Sequence, residues 1–154
     1  IGDYELFFTT LWTYICPDKV YEVRRVMNDF RNIGLSDDIF SPSTQNRINV
    51  ICRSWLTGAL KSSDAVKKIV VTHHCPILDP MIENYVGRMS YPAYADDQTS
   101  IMYENGPDYW IHGHIHTNLT NGMKKGSTTI LSNNLGYVDD EENTGFNRKA
   151  VIEI

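Results

Sequence analysis

The stretch KKIVVTHHCP, residues 67–76, decides the fold. Residues 69–72 of this stretch read IVVT, and such an apolar and β-branched run is typical of a strand that enters a hydrophobic core. The run stops at two histidines and a proline. Functional residues of α/β proteins collect where strands end in loops. The stretch therefore predicts a buried strand with His73 and His74 at its carboxyl end.

A second strand of the same kind precedes the remaining histidines. Residues 108–112 read DYWIH, and residues 113–116 read GHIH. All five histidines of the chain lie in these two short segments: His73, His74, His112, His114 and His116. Neutral imidazole is the commonest metal ligand in proteins. Alternate spacing predicts that the last three rings project from one side of an extended chain, and Gly113 allows a close backbone approach.

The flanking sequence supplies further elements of an α/β layered sheet. Residues 5–11 predict a buried strand, helical spacing begins near Pro17, and residues 96–104 favour a short helix. Residues 43–61 predict the best helix, capped by Ser41 or Ser43. Its apolar stripe is expected to face the core: Ile48, Ile51, Trp55, Leu56, Ala59 and Leu60. The tail predicts antiparallel strands at 119–123, 128–132 and 149–154, with a turn at Lys125-Gly126. The order of elements predicts an α/β fold and one domain.

Composition limits the classes of function. The chain has 154 residues, 42% of them hydrophobic, and a formal net charge of −5. An acidic chain is unlike a nucleic-acid binder, which carries a basic face. Three cysteines do not make a disulfide framework and favour reduced thiols in the cytoplasm. No apolar run is long enough to span a membrane. We therefore expect a cytoplasmic protein with neither a nucleic-acid nor a membrane partner.

The histidine pattern predicts roles for particular residues. His73, His114 and His116 are the expected metal ligands. Each ligating imidazole needs a partner on its other ring nitrogen. His74, His112 and Asn118 are candidates for that supporting role. Arg88 lies in the long loop after the first cluster and is either a contact for a bound substrate or a surface residue. Cys75 is not expected to act as a nucleophile with His74, because adjacent side chains on an extended chain point to opposite sides.

Three segments of the sequence resemble one protein family. VVTHHCP at residues 70–76 resembles the Val-Thr-His-His-x-Pro segment of the calcineurin-like metallophosphoesterases, and WIHGHIHT at residues 110–117 is similar to their Gly-His-x-His signature. NNLGY at residues 133–137 resembles their Asn-Pro-x-Gly-Tyr. Weaker likenesses extend the resemblance over nearly the whole chain, in the order that the family shows.

The resemblance implies a fold, a cofactor and a reaction. The fold is a four-layer α/β/β/α sandwich, and the cofactor is a pair of divalent metal ions, with Mn, Fe, Zn and Ni as the candidates. By resemblance, His73 and His114 bind one metal and His116 binds the other. The implied reaction is hydrolysis of a phosphate monoester or diester by a hydroxide that bridges the metals, with a small-molecule phosphate ester as substrate.

The chain departs from the family in one respect. Family members begin with Asp-x-His, Gly-Asp-x-x-Asp and Gly-Asn-His-Glu segments, and none of these occurs here. We therefore expect residues 1–154 to be the C-terminal portion of a single metallophosphoesterase domain. The general acid histidine is then expected in the N-terminal part, with no catalytic residue on this chain. Such a chain needs that part for activity and should expose a sheet edge and a broad apolar surface.

Two other functions remain open from the sequence. One is a mononuclear zinc hydrolase or lyase that uses His73, His114 and His116, because such a site needs three protein ligands and one open position. The other is a degenerate phosphoesterase that serves as a non-catalytic scaffold, since a fold does not determine a function. The number of metals bound distinguishes the three possibilities.

Overall fold

The computed structural model describes residues 3–35, 38–79, 91–139 and 144–153. The helices are α1 (Val20–Val26), α2 (Asp29–Asn32), α3 (Pro42–Ser62) and α4 (Thr99–Asn105). The strands are β1 (Tyr4–Thr9), β2 (Gly34–Leu35), β3 (Asp38–Ile39), β4 (Lys67–Thr72), β5 (Tyr109–His112), β6 (Met123–Lys125) and β7 (Thr128–Ser132). Short 3₁₀ turns lie at Pro17–Lys19 and Tyr91–Ala93. The predicted α/β class is confirmed.

One sheet organises the described part of the chain. Its strands run in the order β1-β4-β5-β7-β6, while β2 and β3 form a separate antiparallel pair. The strands β1, β4, β5 and β7 are parallel, and only β6 is antiparallel to its neighbour. The register places Thr9, Thr72, His112 and Ser132 side by side at the last position of each parallel strand. The loops that follow these four strands therefore meet at one edge of the sheet.

One face of the sheet forms the main core. Phe7, Val70, Trp110 and Ile130 occupy neighbouring positions on adjacent strands, and all four are buried. Helices α3 and α4 contribute side chains to the same cluster: Leu56, Leu60, Ile101 and Met102. The indole nitrogen of Trp110 donates a hydrogen bond to Thr72 Oγ1 at 3.0 Å. Because a buried N–H needs an acceptor, this bond fixes the orientation of the largest core side chain.

The opposite face of the sheet is apolar and partly open. The edge strand β1 exposes Leu6 at 49% and Phe8 at 64% of their surfaces. Phe8 continues across the sheet into a row with Val71, Ile111 and Leu131, which are only partly buried. The expected exposed edge and apolar surface are therefore present in the described part of the structure.

Helix α3 begins and ends close to its predicted bounds, and Ser41 caps it. The Ser41 Oγ accepts a hydrogen bond from the Thr44 backbone N–H at 3.2 Å. The predicted apolar stripe is partly wrong, since Leu56 and Leu60 are fully buried but Ile51 is 60% exposed. Trp55 was also expected in the core and is 48% exposed. The first half of α3 buries polar side chains in their place.

Those polar side chains bind a stretch of backbone that follows β1. Gln45 Nε2 donates to the Thr13 carbonyl at 3.0 Å. The Asn46 side chain accepts from the Ile15 N–H at 2.7 Å and donates to the Ile15 carbonyl at 2.8 Å. Buried backbone groups outside a sheet need such partners. The helix is therefore oriented by amide hydrogen bonds as well as by apolar burial, which explains why its apolar stripe is incomplete.

The tail differs from the predicted antiparallel strands. Only 123–125 and 128–132 are strands, and neither 119–122 nor the described part of 149–154 is one. The turn expected at Lys125-Gly126 is present, with Gly126 at a φ of +59°. The last segment is held by a side chain, because Asn133 donates to the Asn147 carbonyl and accepts from the Asn147 N–H, each at 2.9 Å. No helix in the described ranges is long and apolar enough to cross a membrane.

Candidate metal centre

The two histidine segments meet where the parallel strands end. His73 and His74 follow β4 directly, and Gly113 follows β5, which is the next strand in the sheet. The Gly113 N–H donates a hydrogen bond to the His73 carbonyl at 3.0 Å. This bond continues the β4–β5 pairing by one step and brings the two segments together. The predicted convergence of the two strand ends is therefore confirmed.

Three imidazole rings form a triangle at this edge. The ring centroid of His114 lies 4.6 Å from that of His73 and 4.6 Å from that of His74. The His73 and His74 rings are 5.0 Å apart, edge to face. Two aromatic rings enclose the triangle, because Trp12 lies 5.0 Å from His74 and Tyr94 stacks on His114 at 5.2 Å. His73 is exposed, whereas His74 is buried.

His114 lies at the centre of a tight backbone turn. Its φ is +66°, and the Ile115 N–H donates to the Gly113 carbonyl at 2.8 Å. A hydrogen bond across two residues with a positive φ between them defines the rarer, strained kind of γ-turn. Such a conformation costs about 1–3 kcal/mol at a residue other than glycine and is found most often at functional sites. The segment 112–116 is therefore bent and not extended.

His112, the last residue of β5, lies apart from the ring cluster. The His112 ring is buried, with Nε2 3.7 Å from Cys75 Sγ and Nδ1 3.1 Å from the Gly113 carbonyl oxygen. Burial lowers the pKa of His112 to about 4 and raises the pKa of the Cys75 thiol to about 12. The prediction that three rings share one side of the segment is wrong for His112, because its strand position directs it into the core. Cys75 is a neutral core thiol.

The other predicted residues lie near the turn or beyond the described ranges. The His116 ring stands edge-on against Tyr137 at 4.6 Å. The Asn118 amide donates to the Asn134 and Thr144 carbonyls at 2.9 and 3.0 Å, so it supports the backbone of this region. Arg88 lies outside the described residues.

The ring of His114 lies in an environment that suits a metal-ligating imidazole. Its Nε2 is buried without a hydrogen-bond partner, while the ring also makes a hydrogen bond with the Ala93 backbone that raises its pKa. Burial outweighs that effect and, with the nearby charge of His73, lowers the pKa of His114 to about 4. The ring is therefore neutral at pH 7. A neutral imidazole held by a carbonyl on one side, with a free buried nitrogen on the other, fits a metal ion.

The comparison with protein families agrees with this chemistry. The model of the family described as calcineurin-like phosphoesterase matches residues 6–118, which is more than half of the 154-residue chain. The chain belongs to the calcineurin-like phosphoesterase family. The matched range runs from β1 to Asn118 and includes all five histidines. Searches of the curated proteins and of the solved structures gave no match.

The fold also agrees with membership of the phosphoesterase family. The described residues form a five-stranded sheet flanked by helices, consistent with the family's α/β fold. The resemblance identified from the sequence is confirmed. In the described residues, no group of three or more His, Cys, Asp or Glu side chains is arranged to hold a metal ion. The ring triangle is therefore not by itself a complete metal cage within the described residues.

One carboxylate near the rings gave no signal in the sequence. The negative charge of Asp29, at the start of α2, raises the pKa of both His73 and His114. In each ring the larger effect is burial, which lowers the pKa. Asp29 occurs in an ordinary charged helical segment, so only the folded structure places it near the strand ends. Its charge favours a cation at this edge.

Proposed function

We propose that the protein is a metal-dependent phosphoesterase that hydrolyses a small-molecule phosphate monoester or diester. The observation that supports this most directly is the buried, unpartnered Nε2 of His114 in the middle of a ring cluster. A buried nitrogen lone pair without a donor is costly unless a ligand occupies it. In a chain of this family, a divalent cation is the ligand that fits.

Three histidines carry the proposed metal binding. His73 and His114 hold one cation, and His116 holds the second, with Mn, Fe, Zn and Ni as the candidates. When bound, two such ions polarise the phosphoryl oxygens and activate water at neutral pH. The chain keeps the ligand rings ready for this, since burial lowers the pKa values of His73 and His114 and leaves them unprotonated. His74 and Trp12 form one wall of the cluster and exclude water from that side.

The proposed activity also needs the ligands and the general acid that three other segments of the family supply. A pair of metals needs a bridging carboxylate, and the leaving group needs a general acid. The sequence lacks the Asp-x-His, Gly-Asp-x-x-Asp and Gly-Asn-His-Glu segments of the family. We place those groups in polypeptide outside residues 1–154. The isolated chain is then inactive, in line with the incomplete ligand set in the described residues.

Hydrolysis of an aryl phosphate tests this proposal. The 154-residue chain is assayed with Mn²⁺, alone and together with a polypeptide that carries the three missing segments. We expect metal-dependent turnover only in the combination. His114→Ala should then abolish it, because the buried ligand is lost. His112→Gln is the matched control, since the His112 ring faces Cys75 and not the cluster.

The outcomes separate the alternatives. Turnover by the isolated chain that disappears in His114→Ala would contradict the dependence on other segments. One tightly held zinc per chain, with no second metal, would favour a mononuclear zinc hydrolase or lyase. Absence of metal binding in the combination would contradict the phosphoesterase proposal and leave a non-catalytic scaffold as the function.

A further inference from the structure

Two asparagines join three segments of backbone behind the ring cluster. The Asn134 N–H donates to Asn118 Oδ1 at 2.5 Å, and Asn118 Nδ2 donates to the Asn134 carbonyl at 2.9 Å. Asn118 Nδ2 also donates to the Thr144 carbonyl at 3.0 Å, and Thr144 Oγ1 donates to the Asn134 carbonyl at 2.7 Å. The backbone of Asn134 is thus fixed from two directions.

This anchoring directs the Asn134 side chain at the strained turn. Asn134 Nδ2 donates to the Ile115 carbonyl at 2.6 Å. Ile115 lies between His114 and His116, and its N–H closes the γ-turn by donating to the Gly113 carbonyl. The peptide groups on both sides of Ile115 are therefore held, one by the turn itself and one by Asn134. On the upstream side, the Gly113 N–H bond to the His73 carbonyl fixes the other end of the turn.

Gly113 lies between His73 and Asn134, and a Cβ atom there would make ordinary van der Waals contacts with both. A Cβ atom at Gly113 would lie 3.5 Å from His73 Nδ1 and 3.7 Å from Asn134 Oδ1. The Asn134 amide oxygen and the His73 ring therefore both lie beside Gly113. The Asn134 side chain thus binds the turn at Ile115 through a hydrogen bond and borders it at Gly113. An apolar side chain of similar size could not make this hydrogen bond.

We propose that Asn134 is a positioning residue that holds His114 in its positive-φ conformation and so sets the affinity of this segment for metal. The inference rests on the proposed function, because it concerns the same ring cluster. Without the bond to Ile115, the strained turn relaxes toward an ordinary negative φ and carries the His114 ring away from His73. Groups that orient metal ligands in this way typically change metal affinity by about 10–100-fold when they are removed.

Two measurements on Asn134→Ala test this inference, with Asn133→Ala as the matched control. Asn133 is the adjacent residue and holds the Asn147 backbone, away from the turn. The first measurement is Co²⁺ affinity together with the visible absorption spectrum of bound Co²⁺, which reports the ligand geometry. We expect Asn134→Ala to weaken binding about 10-fold or more and to alter the spectrum. Asn133→Ala should change neither.

The second measurement is hydrogen exchange of the Ile115 amide in the metal-free protein, which does not depend on the proposed function. Asn134→Ala should lose the protection of this amide, and Asn133→Ala should keep it. Asn134→Ser, which retains a donor, is expected to recover part of the protection and provides a second variant if the alanine variant fails to fold. Unchanged affinity and unchanged Ile115 exchange in Asn134→Ala would overturn the inference. Loss of protection in a protein that never binds Co²⁺ would uphold the positioning role and contradict the metal proposal.

Discussion

The imidazole of His112 lies 3.7 Å from the thiol of Cys75 in the core, although His112 belongs to the same five-residue segment as His114 and His116. Its environment explains its separate role. Burial keeps the His112 ring neutral, with a pKa of about 4, while Cys75 Sγ donates to the Ile77 carbonyl at 3.1 Å. The pair belongs to the packing of the sheet, and its properties can be tested without any metal.

Acid should destabilise the metal-free protein through this ring. The pKa of His112 is about 4 in the folded state, against 6.5 for an unperturbed histidine. As the pH falls from 6.5 toward 4, the unfolded chain takes up a proton that the folded chain does not, so the free energy of unfolding falls. The full effect of this ring is on the order of 3 kcal/mol.

Urea unfolding across that pH window measures the effect. His112→Gln should reduce the slope of unfolding free energy against pH, whatever its effect at neutral pH. His74, whose pKa burial lowers to about 3, contributes in the same sense and remains in the variant. An equal slope in wild type and His112→Gln would contradict the assignment of His112 as a buried neutral ring.

Cys75 should resist alkylation as long as the protein is folded. The thiolate is the reactive form, and burial raises the pKa of Cys75 to about 12. Cys16 is exposed and provides an internal control. Iodoacetamide should modify Cys16 in the native protein and Cys75 only after unfolding in urea, as followed by peptide mass spectrometry. Rapid native modification of Cys75 would contradict its assignment as a buried neutral thiol.

Asp96 tests the polar contacts between α3 and the loop before α4. Its Oδ2 accepts hydrogen bonds from the Tyr14 N–H at 3.3 Å, and from Asn49 Nδ2 and Gln98 Nε2 at 3.0 Å each. Burial raises the pKa of this carboxyl despite those donors, so its charge opposes folding at pH 7. Asp96→Asn keeps an acceptor oxygen without the charge and should be as stable as wild type or more stable.

Asp96→Ala is the matched variant for this test. It leaves three donors without their acceptor, so the free energy of unfolding should fall by about 2 kcal/mol or more. Both variants are compared with wild type by urea unfolding at pH 7. Equal destabilisation by the asparagine and the alanine would show that the charge itself stabilises the fold.

Adjacent residues of α3 should respond very differently to truncation. Leu56 is fully buried, whereas Trp55 is 48% exposed. Leu56→Ala should lower the free energy of unfolding by about 2–5 kcal/mol, because it leaves a cavity in the core. Trp55→Ala should cost less than about 1 kcal/mol despite the larger side chain. A larger loss for Trp55 than for Leu56 would mean that the helix face is assigned incorrectly.

The two strands that precede the histidines, and the meeting of the two histidine segments, could be predicted from the sequence, whereas part of the tail and the details of the site could not. The run at 69–72 is β-branched and mostly apolar, so a local pattern predicts the strand and places the two histidines at its end. The bend at His114 has no such signal. It depends on hydrogen bonds to Gly113, within the turn, and to Asn134, which comes from the end of a different strand.

The incorrect prediction of the apolar stripe of α3 also arises because local pattern does not report contacts with distant parts of the chain. Its helical period and its cap are local properties, and both were predicted correctly from the sequence. Its orientation depends on Gln45, Asn46 and Asn49, whose side chains bind backbone groups more than 30 positions earlier in the chain. Periodicity assigns apolar residues to the core and cannot show that buried amides displace Ile51 and Trp55 to the surface.

The central claim is that His114 Nε2 binds a divalent cation, and ¹⁵N NMR of the histidine side chains during Zn²⁺ titration tests it most directly. The protein is labelled at histidine, and His114→Ala identifies the signal. We predict that Nε2 of His114 shifts on addition of Zn²⁺, together with ring nitrogens of His73 and His116, while the buried His112 nitrogens do not move. Saturation of the protein with Zn²⁺ without a shift at His114 Nε2 would contradict the account.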